Sequence, residues 1–173
     1  MGLEYVTRMR NMIMRWAKPP YEFVCLRDEG DYPGWWSKIE LFRPGRFKGR
    51  VVYFDLDSVV VGPLDQLVEH KGIVNLLDWG WLTPTLCSSV MIWDAGEHEE
   101  IFTQFDRMVP SLFRGDQDWI THLGGWQALP PQFCKSYRYV CVQQPPAGCV
   151  HVSMHGNPKP HEIKTGWVPK SWV

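Results

Sequence analysis

A continuous run of apolar, β-forming residues at positions 51–54 ends abruptly at two aspartates, Asp55 and Asp57. A strand with one solvent-exposed face alternates apolar and polar residues, whereas an unbroken apolar run is typical of a strand covered on both faces, as in a parallel sheet. Strand-like and helix-like segments alternate along the rest of the chain. This pattern predicts an α/β fold with a mostly parallel central sheet flanked by helices. No segment has the composition of a linker, so we predict one domain over residues 1–173.

The other elements are predicted from residue periodicity and from the Gly and Pro residues that interrupt it. Tyr5, Met9 and Trp16 recur at helical spacing ahead of two prolines, which predicts an amphipathic helix of about 14 residues. Further helices are expected near residues 35–43 and over 63–70, 97–109 and 118–123. Further strands are expected over residues 21–26, 73–77, 89–93, 137–142 and 150–154.

Composition narrows the classes of function. The chain has 173 residues, 45% of them hydrophobic, and a formal charge of −1, which fits a globular domain with a core of ordinary size. Such a charge gives no general attraction to nucleic acid, so we expect no nucleic-acid partner. No apolar stretch approaches bilayer length, so we expect no membrane insertion. Oligomeric state is not predicted.

The five cysteines are scattered and odd in number, and they lack the paired spacing of a zinc site or a redox motif. We therefore expect reduced, mostly buried thiols. The N-terminus has arginines at positions 8, 10 and 15 instead of a continuous apolar run, so we expect a cytoplasmic location. The ten tryptophans are many for a chain of this size. Most are expected to pack in the core or in a lid, and stacking on a sugar or a base is the alternative.

The Asp55-Leu56-Asp57 segment is the sharpest candidate for chemistry. Residues two apart in an extended chain point to the same side, so both carboxylates can face one point beyond the strand end. Two carboxylates this close repel each other unless a cation lies between them, and hard oxygen ligands suit Mg²⁺ or Mn²⁺. The alternative is that the aspartates only cap a turn.

A second candidate is the segment of sequence HGNPKPH at residues 155–161. Gly156 lets the backbone approach a ligand closely, and Lys159 supplies a point charge suited to phosphate. An imidazole from His155 could complete a metal site and would favour manganese over magnesium. The alternative for His155 is an ordinary solvated or hydrogen-bonded side chain.

A third candidate is Asp116-Gln117-Asp118, which follows Gly115 at a predicted helix start. One aspartate there is expected to cap the helix. The two carboxylates and the amide also suit the recognition of sugar hydroxyls, which need several donors and acceptors at once.

Several motifs in a fixed order carry a family resemblance. They are Trp36-Ser37-Lys38, the strand ending in Asp55-Leu56-Asp57, the strand segment Ser88-Ser89-Val90-Met91, the Asp116-Gln117-Asp118 triplet and the HGNPKPH segment at residues 155–161. Together, over residues 2–168, the chain resembles the glycogenin-like retaining glycosyltransferases. It is most similar to compact bacterial and phage proteins of that type.

The resemblance implies a GT-A fold, a nucleoside-diphosphate sugar as donor, with UDP as the expected nucleotide, and an acceptor that the motifs do not identify. It also implies manganese, with magnesium as the alternative. The implied roles are metal binding by Asp55, Asp57 and His155; donor binding by Lys38, Asp55, Asp57, Ser88, Gly156 and Lys159; and contact with the transferred sugar by Asp116 and Gln117. Asp118 completes the implied catalytic triplet, and no residue stands out as a covalent nucleophile.

The chain departs from the family pattern in three ways. Relatives begin with a strand whose loop holds the base, whereas this chain begins at the helix that follows, so we expect the first strand to be missing. Their metal-binding histidine corresponds to Ser153, and here histidines stand at His151 and His155. Cys87 replaces the asparagine that usually precedes the Ser88 position.

Two other functions compete with sugar transfer. A phosphatase of the haloacid dehalogenase type also places two aspartates after an apolar strand, the first as nucleophile and the second as acid and base. That enzyme needs a late acidic pair, where this chain has the 155–161 segment. The second rival is a non-catalytic module that binds a nucleotide sugar or a glycan.

Overall fold

The computed structural model describes residues 2–26, 32, 34–75 and 85–173. The strands are β1 Arg50–Phe54, β2 Val59–Val60, β3 Gly72–Asn75, β4 Leu86–Asp94, β5 Cys134–Ser136 and β6 His151–Ser153. The α-helices are α1 Leu3–Trp16, α2 Glu100–Thr103, α3 Val109–Leu112, α4 Asp116–His122 and α5 Val168–Ser171. Short 3₁₀ helices span Gly34–Phe42, Leu67–Glu69 and Pro160–Glu162, and a π-helix spans Tyr137–Cys141.

Helix α1 confirms the prediction made from its periodicity. It has 14 residues and buries Met9, Met12 and Ile13, while the residues on its other face reach solvent. The helix stops at Ala17, whose extended backbone leads into the two prolines that follow. Its apolar face packs in a core cluster together with β2, β6 and the chain's C-terminal helix.

The first sheet contains β1, β4 and β3 in that order, with β4 antiparallel to both neighbours. Strand β4 is nearly all buried because the sheet is covered on both faces. Val90 and Ile92 face one hydrophobic cluster, and Met91 and Trp93 face a second cluster on the other side. This alternation explains a nine-residue strand with no polar face.

The second sheet contains β2, β6 and β5 in that order, and it is mixed: β2 pairs antiparallel with β6, and β5 pairs parallel with β6. The prediction of a GT-A-like fold with a mostly parallel central sheet is therefore wrong, because the described strands form two three-stranded sheets, one antiparallel and one mixed. An unbroken apolar run reports that both faces are covered, and two clusters can cover an antiparallel sheet as completely as helices cover a parallel one. Strand direction is set by long-range pairing, which the run does not encode.

Other sequence-based elements have mixed outcomes. The strand predicted at 21–26 is irregular and partly or fully exposed, and the strand predicted at 137–142 is mostly the π-helix. The helix predicted at 97–109 is reduced to α2 and the first residue of α3, and that at 63–70 is a single 3₁₀ turn. The strands near 51–54, 89–93 and 150–154 are confirmed. Residues 76 and 77, the end of the strand predicted at 73–77, lie outside the described residues, and so do Trp79 and Trp81.

Candidate functional site

The turn that carries Asp55 and Asp57 joins the two sheets. Strand β1 of the first sheet ends at Phe54, and β2 of the second sheet begins at Val59. The Asp55 backbone N–H donates to the Ser89 carbonyl at 2.9 Å, which ties the start of the turn to β4. The aspartates therefore lie where the sheets meet, within reach of side chains from both.

Asp55 belongs to a compact polar group that we call the Lys38 cluster: Lys38, Tyr53, Asp55, Ser88, Asp116 and Gln117. The Lys38 Nζ lies 3.0 Å from Asp55 Oδ1 and 2.9 Å from Asp116 Oδ2. It also donates to Ser88 Oγ at 3.0 Å. The Lys38 and Asp116 side chains are only 13% and 12% exposed. One ammonium thus compensates two carboxylates in a mostly dry environment.

The electrostatics of this cluster hold Lys38 and Tyr53 each in one protonation state. Burial acts to lower the pKa of Lys38, but Asp55, Tyr53 and Asp116 outweigh it and hold that pKa well above its ordinary value. The Tyr53 hydroxyl donates to Asp55 Oδ1 at 2.7 Å. Burial and the charge of Asp55 raise the pKa of Tyr53 well above its usual range. Lys38 therefore stays charged, and Tyr53 stays a neutral donor.

The predicted sugar-contacting triplet divides between two environments. Asp116 lies in the Lys38 cluster, and the Ser88 backbone N–H donates to Gln117 Oε1 at 3.3 Å. Asp118 instead faces solvent, where Arg114 Nε donates to its Oδ2 at 2.7 Å. The structure therefore brings Asp116 and Gln117 to the cluster and leaves Asp118 outside it.

Asp57 belongs to a second group, the Lys159 cluster: Asp57, Ser136, Arg138, Tyr139, His155, Gly156 and Lys159. The Lys159 Nζ lies 2.5 Å from Asp57 Oδ2. His155 Nε2 is hydrogen-bonded to Ser136 Oγ at 2.7 Å, and its ring stacks on Tyr139 with centroids 5.6 Å apart. The side chains come from the turn, from β5, from the π-helix and from the 155–161 segment.

Two cations influence His155. Burial lowers the pKa of His155, and the charges of Arg138 and Lys159 lower it further, while Asp57 opposes them. The guanidinium of Arg138 also lies over Gly156, since a Cβ at Gly156 would stand 3.8 Å from Arg138 Nη1. Gly156 has a φ of 70°, which side-chain-bearing residues rarely adopt. The loop thus brings an exposed backbone and two cations to one place.

Sequence reasoning missed several members of these clusters. Tyr53 could have been found, because it precedes Asp55 by two residues on a strand and shares its face. Arg138 and Tyr139 carried no usable signal, since their segment was expected to be a strand and forms a π-helix. Ser136 is the last residue of β5, before that segment, and no motif pointed to it. A single-turn π-helix is a frequent feature of functional sites, but only backbone geometry reveals it.

A cleft of about 2050 Å³ opens beside β1. Its walls include the exposed or half-exposed residues 20–26, part of α1 and the β1 residues 51–54. Lys38, Asp55, Asp57 and Asp116 also line it, alongside Trp35. A ligand in the cleft would therefore contact the charged groups of the Lys38 cluster and the Asp57 carboxylate of the Lys159 cluster.

The fit of a divalent metal to these residues is partial. Over the described residues, no three His, Cys, Asp or Glu side chains are gathered closely enough to hold a metal ion. Asp55, Asp57 and His155 thus do not form a preassembled three-ligand site. The chemistry of the donors does fit: Asp55 uses Oδ1 and Asp57 uses Oδ2 in the contacts above, so each keeps a second carboxylate oxygen.

A second histidine near the C-terminus, His151, is fully buried in β6 and stacks on Phe54 with ring centroids 5.3 Å apart. Neither of its ring nitrogens has a hydrogen-bond partner in the described part of the chain. Burial lowers its pKa to about 3, so the ring is neutral. His151 therefore behaves as a core residue, and His155 is the histidine that lies beside Asp57 and Lys159.

The five cysteines are placed as thiols and not as disulfides, and all except Cys25 are buried, as predicted. Over residues 2–26, 34–75 and 85–173, no helix combines the length and apolar character needed to cross a bilayer. Comparison of the sequence with models of protein families finds no match, and comparison with curated proteins finds none either. The resemblance to glycogenin-like enzymes is thus carried by the motifs themselves and stays a prediction.

Proposed function

We propose that this protein is a metal-dependent glycosyltransferase that moves a sugar from a nucleoside-diphosphate sugar, with a UDP-sugar as the expected donor, to an acceptor. The observation that carries the proposal is the meeting of Lys38, Asp55 and Asp116 at one point of a large cleft. Ser88 and Gln117 join them there. The sequence motifs that suggested a sugar-transfer site are therefore neighbours in space, although they are distant along the chain.

The pairing of charges suits a ligand that carries both signs. In the free protein Lys38 compensates Asp55, and Lys159 compensates Asp57. A diphosphate that arrives with a divalent cation can compensate the lysines while the cation compensates the aspartates. The exchange keeps both lysines, Asp55 and Asp57 paired, which avoids the large cost of uncompensated ions at those four groups. A neutral ligand or a bare phosphate ester lacks this complementarity.

The residues then divide the work. Lys38 and Lys159 bind diphosphate oxygens, and Tyr53 holds the Asp55 carboxylate in one orientation through its hydrogen bond. Asp116 and Gln117 accept hydrogen bonds from hydroxyls of the transferred sugar. A cation held by Asp55 and Asp57, with His155 as a third ligand, would stabilise the charge that develops on the departing diphosphate.

Anomeric retention and the cytoplasmic location stay predictions, and Asp118 is left without a role. Retention of anomeric configuration depends on the family resemblance alone. Asp118 has no assigned role in our proposal, because its carboxylate is paired with Arg114 on the surface. The cytoplasmic location likewise stays a prediction from composition.

The direct test measures release of the nucleoside diphosphate from a panel of nucleotide sugars in the presence of Mn²⁺. We expect turnover by the wild-type protein and a loss on the order of 100-fold for Asp57→Asn. Glu69→Gln is a matched control, because Glu69 is an exposed carboxylate outside both clusters. Equal background rates for the wild type and Asp57→Asn would refute catalysis by this site.

Two further outcomes identify the rival functions. Metal-dependent binding of the donor without turnover, for every acceptor tried, would identify a nucleotide-sugar or glycan-binding module. Hydrolysis of a generic phosphate ester, with no action on nucleotide sugars, would identify a phosphatase in which Asp55 is the nucleophile.

A further inference from the structure

Trp35 differs from the other tryptophans that the structure describes. Its side chain is 64% exposed, and it is the one tryptophan of the described residues in the exposed class. The indoles of Trp119, Trp126 and Trp167 donate to backbone carbonyls, while Trp36, Trp93 and Trp172 are buried. Exposing an indole forgoes its large hydrophobic stabilisation, so an exposed indole at the edge of a cleft is a candidate ligand contact.

The position of Trp35 is fixed by the helix that carries it. In a 3₁₀ helix, residues three apart lie above one another, so Trp35 shares a face with Lys38 in Gly34–Phe42. The next residue, Trp36, is buried and packs on Phe105 with ring centroids 5.3 Å apart. The helix is thus anchored through its buried face, and that anchor holds the exposed indole beside the Lys38 cluster.

Trp35 also adjoins the sugar-contacting residues. A Cβ at Gly115 would stand 3.6 Å from Trp35 Nε1, so the edge of the indole lies against the residue that precedes Asp116. Within the described ranges the Trp35 N–H has no hydrogen-bond partner and remains available as a donor. The indole, Lys38 and the Asp116 carboxylate all line the same cleft.

These features match the chemistry of a neutral sugar ring. A pyranose presents an apolar C–H face that packs on an aromatic ring, and its hydroxyls need acceptors and donors at the ring's edge. The indole N–H provides a hydrogen-bond donor for such hydroxyls, and it lies beside Gly115, next to the Asp116 that contacts the transferred sugar. We propose that Trp35 is the stacking platform for the acceptor and that the acceptor is a saccharide. The inference rests on the proposed function, in which the nucleotide-sugar donor binds on the lysine side of the cleft.

The test compares the wild type with Trp35→Ala, Trp35→Phe and the control Leu112→Ala, which truncates a side chain that is 71% exposed. Binding of each protein to a saccharide array is measured first, without a nucleotide sugar. The KM for the saccharide that binds is then measured in the presence of the nucleotide-sugar donor. We expect Trp35→Ala to weaken saccharide binding and to raise that KM about tenfold. Trp35→Phe should retain most of the affinity, and Leu112→Ala should match the wild type.

Binding of Mn²⁺ with the nucleoside diphosphate alone is the second readout, and we expect it to be unchanged in Trp35→Ala. Unchanged melting temperatures would show that the variants are folded, since Trp35 contributes little to the core.

The outcomes separate this inference from the proposed function. Array binding that is lost in Trp35→Ala supports the platform even if no nucleotide sugar is turned over, in which case only the transferase proposal fails. The inference is overturned if the wild type binds no saccharide, or if Trp35→Ala binds saccharides as the wild type does. It is also overturned if Trp35→Ala weakens binding of the nucleoside diphosphate instead, because the indole would then serve the base.

Discussion

The Lys38 cluster and the Lys159 cluster each pair a lysine with an aspartate of the same turn, yet they are built differently. Lys38 is 13% exposed and contacts side chains from β4 and α4, which are anchored by sheet pairing and core packing. Lys159 is 28% exposed and lies on the segment after β6, where a glycine with positive φ interrupts regular structure. We infer that the first cluster is the more rigid of the two and that the second rearranges more readily around a ligand.

The largest expected effect follows from removing the shared cation of the rigid cluster. Lys38→Met leaves Asp55 and Asp116 without compensation in a mostly buried site, and it should lower the free energy of unfolding by about 3 kcal/mol. Chemical denaturation at pH 7 measures the change. Lys18→Met is the matched control, because the Lys18–Asp65 pair is 80% and 37% exposed and should matter little. Equal losses for the two variants would remove the distinction between core and surface pairs.

Tyr53→Phe tests the same cluster with a smaller change. It removes the hydrogen bond to Asp55 and little else, so the free energy of unfolding should fall by about 1.5 kcal/mol. If Tyr53 also orients the carboxylate for a metal, the affinity for Mn²⁺ should fall too, which titration calorimetry would detect. A variant as stable as the wild type would mean that the Tyr53 hydroxyl contributes nothing to the cluster.

For Lys159→Met we expect a small loss of stability and a clear loss of ligand binding. Its stability loss should be below about 1 kcal/mol, because the pair it breaks is partly solvated. Binding of a nucleoside diphosphate with Mn²⁺ should weaken about tenfold, as the loss of one charge-assisted contact predicts. The same pair of measurements on Lys164→Met, an exposed lysine further along the chain, provides the control. A large stability loss with unchanged binding would contradict a ligand-binding role.

The smallest effect concerns pH. Burial and nearby cations lower the pKa of His155 in the folded protein, so the unfolded chain binds more protons below about pH 6.5. The stability that this neutral histidine contributes is complete above that pH and is lost as pH falls through the folded pKa. His155→Gln should therefore flatten the dependence of unfolding free energy on pH below about pH 6.5. His151, with a pKa of about 3, accounts for part of the slope that remains. If the unfolding free energy of His155→Gln depends on pH as that of the wild type does, the lowered pKa of His155 is contradicted.

The prediction of the fold succeeded where short-range patterns decide the structure. The periodicity of apolar residues located α1, and the apolar runs located β1 and β4. It failed where pairing decides: residues 21–26 are β-prone, but the described structure gives them no strand partner. The π-helix at Tyr137–Cys141 replaced a strand, because its apolar and aromatic residues suit either conformation.

The candidate site, like the fold, was predicted correctly only where local sequence patterns decide the structure. The sequence located Asp55, Asp116 and Lys159 as chemically active residue types next to turns. It did not distinguish Asp116 from Asp118, although one lies in the Lys38 cluster and the other pairs with Arg114. Helix position separates them: residues two apart in an α-helix point to opposite sides of it, and only the packing of α4 on β4 decides which side is inward.

By itself the sequence determined the local features: an amphipathic first helix, a buried strand that ends in two aspartates, and a proline-rich segment that carries a histidine and a lysine. These depend on interactions between residues close in the chain, so spacing and residue type suffice. Only the tertiary structure decided the strand directions, and only it brought Lys159 to Asp57 across 102 residues of chain. Such contacts depend on how whole elements pack against one another, and no local pattern specifies that packing.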